Sequence, residues 1–282
     1  MFPVQPLVTR LLGLAAVLAA GALACSAQAE GLLDHVKQKG VIVIGTSNDP
    51  PLSHIDPQTK QAAGVLPDIL REFFKRQNIK TEIEVVAMPF ASLIPAVQSN
   101  RIDLMGDAMY IRPERQKVMD FTDVVFYNPE SFDVPKGNPL KLHSLADLCG
   151  HSGGSYQGTV YIDMLKKASA ACPAGRPIDV KQYPTIQNVF ADLSAGRLDA
   201  AVVDGSLSAY ALQQNPSLNF ELVADYKPED KVSTGCAFAV AKGDTGFVDA
   251  FNTSYAAMKA DGTAARLFAK WGLTPTAFFL NP

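Results

Sequence analysis

Two segments of this chain repeat one another about a hundred residues apart, and the repeat limits the folds open to it. The first copy runs from Phe90 to Asp103 and straight into Leu104-Met105-Gly106-Asp107. The second runs from Ile186 to Ser194, through Ala195-Gly196-Arg197-Leu198-Asp199, into Ala200-Ala201-Val202-Val203-Asp204. Each reads as an amphipathic helix, a tight turn with an Arg-apolar-Asp signature, and a short apolar strand ending in Asp. The second strand runs one residue further before its Asp, so the match is imperfect. One α/β unit used twice predicts two similar lobes. Ligands of open α/β sheets bind outside the carboxyl ends of the strands. Two lobes meeting face to face would therefore aim Asp107 and Asp204 into a shared cleft.

The bulk properties leave that reading room. A chain of 282 residues can build one large domain or two lobes of ordinary size. Hydrophobic residues make up 48% and charged residues 19%, with a formal net charge of −3, which argues against disorder and against nucleic acid as a partner. The longest apolar run, Leu11–Ala24, follows Arg10 and precedes Ala27-Gln28-Ala29. This is the pattern of a secretory signal peptide cleaved before Glu30, and it is shorter than the roughly 20 apolar residues of a membrane span. Export is the expectation. Cys25 sits where a lipid-attachment cysteine would, but cleavage after Ala29 discards it and is the preferred route.

Cys149, Cys172 and Cys236 then remain. In an oxidising compartment Cys149 and Cys172 can close a loop of about 22 residues, worth about 3 kcal/mol, and export favours the bridge over two separate thiols. Cys236 lies in a strand-like apolar run and reads as core. Metal-ligand spacing is absent, so no metal and no cofactor is expected.

Along the chain, Leu32–Lys39 reads as a helix and Val41–Thr46 as a buried strand. Leu66–Gln77 is helical, Thr81–Val86 alternates as a strand, and Pro113 suits the first turn of a helix over 113–119. Val124–Val134 reads as a connecting strand that leaves the first lobe. The second lobe is predicted to hold a glycine-rich turn at Gly153–Gly158, a helix Tyr161–Ala170 and the second repeat. A strand Thr234–Ala241 and a helical stretch Thr245–Trp271, interrupted at Asp261-Gly262, bring the chain back. The expected division is a leader over 1–29, lobe 1 over 30–127 rejoined by 236–282, and lobe 2 over 128–235. Strands alternating with helices make this α/β architecture, with a cleft between the lobes and a hinge of two crossing segments.

At finer grain the chain resembles the family 3 periplasmic solute-binding proteins of polar amino acid ABC transporters. The stretches that match are Val43–Thr46 before Pro50-Pro51, Gly64 through Asp68, Leu93–Ser99 with Arg101-Ile102-Asp103, Arg112–Arg115 with Asp120–Asp123, Ser144–Leu148, Gly158-Thr159, and Arg197-Leu198-Asp199 with Val202-Val203-Asp204. Met258–Thr263 with Lys270-Trp271-Gly272 completes the order. The resemblance covers Gly40 to about Leu273. It implies the two-lobed type II periplasmic binding protein fold, a monomer without cofactor, and an ABC permease in the inner membrane as partner. It also implies that Arg115, with Gly158 and Thr159, holds a ligand α-carboxylate, and that Asp204 holds an α-ammonium. The chemistry fits: a guanidinium fork grips a carboxylate bidentately, and a buried carboxylate opposes an ammonium. Taken singly, Arg115 reads as a solvated first-turn residue and Asp204 as a turn cap; both positions filled together favour ligand contact.

The departures from the family pattern matter as much. Asp49 and Leu52 stand where family members commonly place aromatic rings, and Asp107, Met109 and Tyr110 replace small residues ahead of the arginine. A pocket with added acidity and a tyrosine face suits a ligand with extra positive charge or a delocalised cation. A ring at the place of Tyr110 is also similar to ectoine-type osmolyte binders. The competing view has Asp49 capping a turn, and Asp107 and Tyr110 packing between strand and helix. His54 and Tyr156 read as peripheral, Phe90 as lying at the cleft or just behind it, and Trp271 as core. The functional expectation is a periplasmic protein, not an enzyme, that captures an amino acid or related zwitterion by hinge closure. The alternatives are a dehydratase of the cyclohexadienyl type, with Asp49 and Asp107 as acid–base pair, and a sensor module feeding a receptor.

Overall fold

The computed structural model of the protein describes residues 31–228 and 235–273. The expected leader, its cleavage site and Cys25 lie outside the described residues. Among those residues no helix is long and apolar enough to cross a membrane.

Seven strands precede the first crossing: β1 (Val41–Thr46), a small hairpin of β2 (His54–Ile55) and β3 (Ala62–Ala63), β4 (Glu82–Ala87), β5 (Leu104–Tyr110), β6 (Met119–Phe121) and β7 (Phe126–Tyr127). Then come β8 (Glu130–Pro135), β9 (Ser152–Tyr156), β10 (Asp179–Tyr183), β11 (Ala200–Asp204), β12 (Phe220–Leu222) and β13 (Gly235–Ala241). One sheet has the order β4-β1-β5-β13-β6, with β7 also on β13, and the other β10-β9-β11-β8-β12. In both, the first three strands are parallel and the fourth is antiparallel to the third. The repeat in the sequence is thus a repeat in topology.

Its turn explains the Arg-apolar-Asp signature. Asn100 and Gly196 both take positive φ (54° and 67°) at the end of their helices. The next residues, Arg101 and Arg197, each donate a backbone hydrogen bond of 2.9 Å back to the helix, at Ala96 and Asp192. Ile102 and Leu198 are buried as anchors. The aspartates then tie each turn to the parallel strand beside the one that follows it, β1 or β9. Asp103 accepts from Val43 N at 2.7 Å, and Asp199 from Ser152 N at 2.8 Å.

The two units part company after that. β5 does not stop at Asp107 but continues to Tyr110. Gly106 makes no turn; a Cβ there would lie 2.7 Å from the Ile44 side chain, so glycine allows β1 and β5 to pack closely. The same reason converts the first part of the turn expected at Gly153–Gly158 into strand, with only Gln157-Gly158 left to turn: Gly153 and Gly154 lie within β9, where a Cβ at Gly153 would meet Leu148 and Leu165 at 2.9 Å. The connecting strand expected over Val124–Val134 splits into β7 and β8 around Asn128-Pro129, because proline has no N–H to give a ladder. Tyr127 still pairs with β13 in the first sheet, whereas Glu130 pairs with Asp204 in the second. The crossing is therefore two residues wide, and Gly205 N steadies it with a 2.8 Å bond to Pro129 O. By Gly235 the chain is back in the first sheet.

Helices cover both sheets. Phe73, Phe247 and Phe251 interlock at 5.4 Å beneath the first, and Phe190 stacks on Phe220 at 4.9 Å beneath the second. Cys149 and Cys172 form the disulfide, with Cα atoms 5.5 Å apart. It fastens the end of the helix Val160–Ala171 to the short turn Leu145–Leu148. Cys236 is free and buried, as its apolar setting predicts.

Candidate functional site

The functional side chains gather where the two sheets face one another, at the carboxyl ends of β1, β9 and β11 and along β5. β1 ends at Thr46, and the chain turns through Ser47, Asn48 (φ 65°) and Asp49 before a cis Pro50-Pro51 bond. Ser47 Oγ lies 2.5 Å from Oδ2 of Asp49 and 2.5 Å from Oδ2 of Asp107. Asp107 also accepts backbone N–H bonds from Ser47 (2.8 Å) and Ala108 (3.0 Å). Asp49 has no such support: it is 2% exposed, and its Oδ1 has no hydrogen-bond partner. Asp49 is therefore no turn cap.

From lobe 2, Asp204 ends β11 and meets a ring of tyrosines. Its Oδ1 accepts from Tyr110 OH at 2.5 Å and Tyr161 OH at 2.6 Å, and its Oδ2 accepts from Tyr156 OH at 3.1 Å. Tyr110 belongs to β5 of lobe 1, so this bond spans the cleft. Its hydroxyl also reaches Tyr161 OH (2.7 Å) and Asn128 O (3.1 Å) on the crossing segment. Arg115 makes a second bridge. Its Nη2 donates to Gly158 O at 2.9 Å in lobe 2, its Nη1 to Tyr110 O at 3.1 Å, and its guanidinium stands 5.8 Å over the Phe90 ring. Phe90 in turn meets Tyr156 edge-on at 5.7 Å. A third bridge runs from Gln187 Nε2 to Asn48 O at 3.0 Å. The lobes touch closely at Gly158, whose φ of +83° suits glycine and where a Cβ would fall 2.8 Å from Ala91 Cα. Thr159 caps the helix Val160–Ala171, but its hydroxyl donates to Tyr156 O at 2.8 Å, leaving the first-turn N–H groups without a side-chain cap.

Charge is the dominant feature. Burial pushes Asp107 up to about 6, with the backbone and Ser47 donors opposing and Asp204 adding to the rise. Asp49 is held well above the carboxylate range by burial first and by Asp107 second. Asp204 is raised by burial, against which the three tyrosine hydroxyls and Arg115 pull. Desolvation lowers Arg115 from its ordinary value. Three carboxyl groups thus share a buried region with one guanidinium.

Of the residues singled out in the sequence, Asp49, Asp107, Tyr110, Arg115, Gly158, Thr159 and Asp204 come together here. Met109 packs into the apolar core. Tyr156 is not peripheral: it touches Asp204 and Phe90. Trp271 is only half-buried, donating to Asp68 at 2.8 Å and meeting His54 edge-on at 5.6 Å, away from the cluster. Ser47, Tyr161 and Asn128 escaped the sequence reading. Ser47 sits one residue past a matched stretch and Tyr161 two past Thr159, so only position hinted at them. Asn128 is buried with neither side-chain polar atom partnered. A groove of about 720 Å³ lined by Arg112, Glu114, Leu145, Met164 and Lys167 lies beside this region and includes none of the three acids.

A family model matches residues 42–274, nearly all of the described chain. The chain belongs to the bacterial extracellular solute-binding proteins, family 3. Proteins of two kinds are similar to it. The histidine-binding periplasmic protein of Salmonella typhimurium is 29% identical over 234 residues, 82% of this chain and 86% of that one. The solved structure of an ancestral arginine-binding protein bound to arginine aligns with a TM-score of 0.73 at 29% identity, over 83% of this chain and 98% of that one. An ancestral amino acid-binding protein that is a precursor of cyclohexadienyl dehydratase aligns equally well, with a TM-score of 0.73 at 26% identity over 86% and 99%. The fold is accordingly the two-lobed one of the amino acid-binding proteins, and these three similar proteins are binding proteins, one of them a precursor of an enzyme.

Proposed function

We propose that this protein is the periplasmic capture component of an ABC importer, and that it closes on a free amino acid with a cationic side chain. The observation that carries the proposal is the convergence of Arg115 from lobe 1 and Asp204 from lobe 2 on one buried region. Arg115 stands beside the uncapped N-terminus of the helix Val160–Ala171, and together they offer a fork of donors and a positive helix end to an α-carboxylate. Asp204 has three of about four lone-pair positions taken by tyrosines, which leaves room to accept from one α-ammonium N–H. The surplus acidity of Asp49 and Asp107 favours a second cation on the ligand. Relatives that bind histidine and arginine agree with that charge.

Closure follows the same logic. Tyr110, Arg115 and Asn48 each make a bond across the cleft, and these bonds exist only when the lobes are together. An exported capture protein of this kind presents its closed form to a permease and needs no cofactor.

The test is thermal unfolding of residues 30–282, refolded from denaturant, against the common amino acids, citrulline, ectoine, betaine and prephenate. A ligand at a hundred times its Kd stabilises by about 2.7 kcal/mol. The expected result is a shift with arginine, lysine or histidine. A second reading draws on the raised carboxyls of Asp49 and Asp107, which suit acid–base chemistry, and on the ancestral dehydratase precursor. A shift with prephenate alone, followed by its turnover, would replace the transport reading with that one.

A further inference from the structure

Ser47 has one hydroxyl proton and two carboxyl oxygens within 2.5 Å of it. If both carboxyl groups were ionised, Ser47 could donate to only one, and the other contact would set two oxygen lone pairs against each other in a buried place. A second proton is required. The donors settle where it sits. Asp107 already accepts two backbone N–H bonds, which favour its charged form, so Ser47 donates to Asp107. Asp49 receives nothing from the backbone, and its Oδ1 is unpartnered and buried. The proton therefore resides on Asp49 Oδ2 and is donated to Ser47 Oγ.

The geometry points to a proton-exchanging cation subsite, Asp49–Ser47–Asp107, that takes the ligand's distal cationic group in place of the proton on Asp49. The inference rests on the amino acid reading above and deepens it. The groups that face Asp49 are Asp107 on β5, Asp204 on β11 and Tyr156 on β9, with Arg115 acting on Asp204 beyond them. Two of these three are acids and none is a cation, so they favour an incoming ammonium or guanidinium. The unpartnered Oδ1 supplies the acceptor for its N–H. The balance is simple: the carboxyl O–H of Asp49 breaks, the proton leaves to solvent, and the carboxylate pairs with the ligand cation. A neutral side chain of the same shape cannot drive that ionisation, so the subsite selects by charge.

Calorimetric titration of the refolded full mature chain separates the possibilities, using L-arginine and its neutral isostere L-citrulline in buffers of different ionisation enthalpy. The expected result is release of about one proton per L-arginine and none per L-citrulline, with arginine affinity rising about tenfold per pH unit while Asp49 is protonated in the free protein. Asp49→Asn should abolish both the proton release and the pH dependence of L-arginine binding. Arginine binding without proton release, or with release unchanged in Asp49→Asn, overturns this subsite and leaves the amino acid reading intact. Binding of neither compound, nor of any amino acid, overturns the functional reading and the subsite with it.

Discussion

Replacing Tyr110 by Phe removes one hydroxyl and little else. That hydroxyl, on lobe 1, sits 2.5 Å from Asp204 Oδ1 and 2.7 Å from Tyr161 OH, both on lobe 2, and 3.1 Å from the carbonyl of Asn128 on the crossing segment. When the lobes part, water replaces these partners, so the substitution weakens the closed form and leaves the open one nearly untouched. A hydrogen bond to a charged group is worth about 1.5–3 kcal/mol net. The ratio of closed to open protein should therefore fall by about 10- to 150-fold. Where the open form predominates without ligand, the apparent Kd rises by the same factor, because ligand must drive closure against the lost bond. Titration calorimetry with L-arginine reads the affinity, and small-angle scattering with and without arginine reads the compaction. The reasoning fails if Tyr110→Phe binds within about twofold of wild type and compacts equally on binding, since the phenol would then contribute nothing across the cleft.

Other substitutions probe separate parts of the same structure. Arg115→Ala should weaken L-arginine about 100-fold, the scale for losing one partner of a buried charge pair, with an unchanged far-ultraviolet spectrum; retained affinity would refute the carboxylate role. Gly158→Ala places a methyl against Ala91 at a backbone φ of +83°, so it should reduce closure and affinity while sparing each lobe's fold; scattering that shows full compaction with ligand would contradict this. The double variant Cys149→Ser, Cys172→Ser should lose about 3 kcal/mol of stability in urea melts, and no loss would show that the bridge is idle. Asp133 offers a pH test. It is fully buried on β8, its Oδ1 lacks a partner, and burial pushes it up to about 7, above its unfolded value. The folded form thus holds this proton longer than the unfolded chain, so the contribution of Asp133 to stability is greatest below about pH 4 and is lost as pH rises toward 7. The shift corresponds to about 4 kcal/mol at most. Asp133→Asn should therefore match wild type at pH 4 and exceed its melting temperature at pH 8; a pH-independent difference would refute the assignment.

What the sequence made legible was whatever local patterning controls. The repeated helix–turn–strand unit was visible because its turn needs a residue tolerant of positive φ, a buried anchor and an Asp to hold the neighbouring parallel strand, and those three sit at fixed spacing in both copies. The disulfide followed from compartment and spacing. What the sequence concealed were choices made by packing across long separations. Gly153 looks like a turn residue and is instead a strand position where neighbouring side chains leave no room for a Cβ. Tyr156 reads as peripheral and Tyr161 as an ordinary helix residue, because nothing within their own strand or helix says that Asp204, more than forty positions on, needs their hydroxyls. Ser47 is the sharpest case. As one small polar residue after a strand it carries no signal, and its meaning comes only from standing between Asp49, two residues away, and Asp107, sixty away. A buried carboxyl pair bridged by a single hydroxyl must count its protons, and the count makes the site sensitive to the charge of what enters. The repeat therefore builds the cleft and supplies Asp107 and Asp204, while Asp49 and Ser47, outside the repeated pattern, make it sensitive to the charge of what enters.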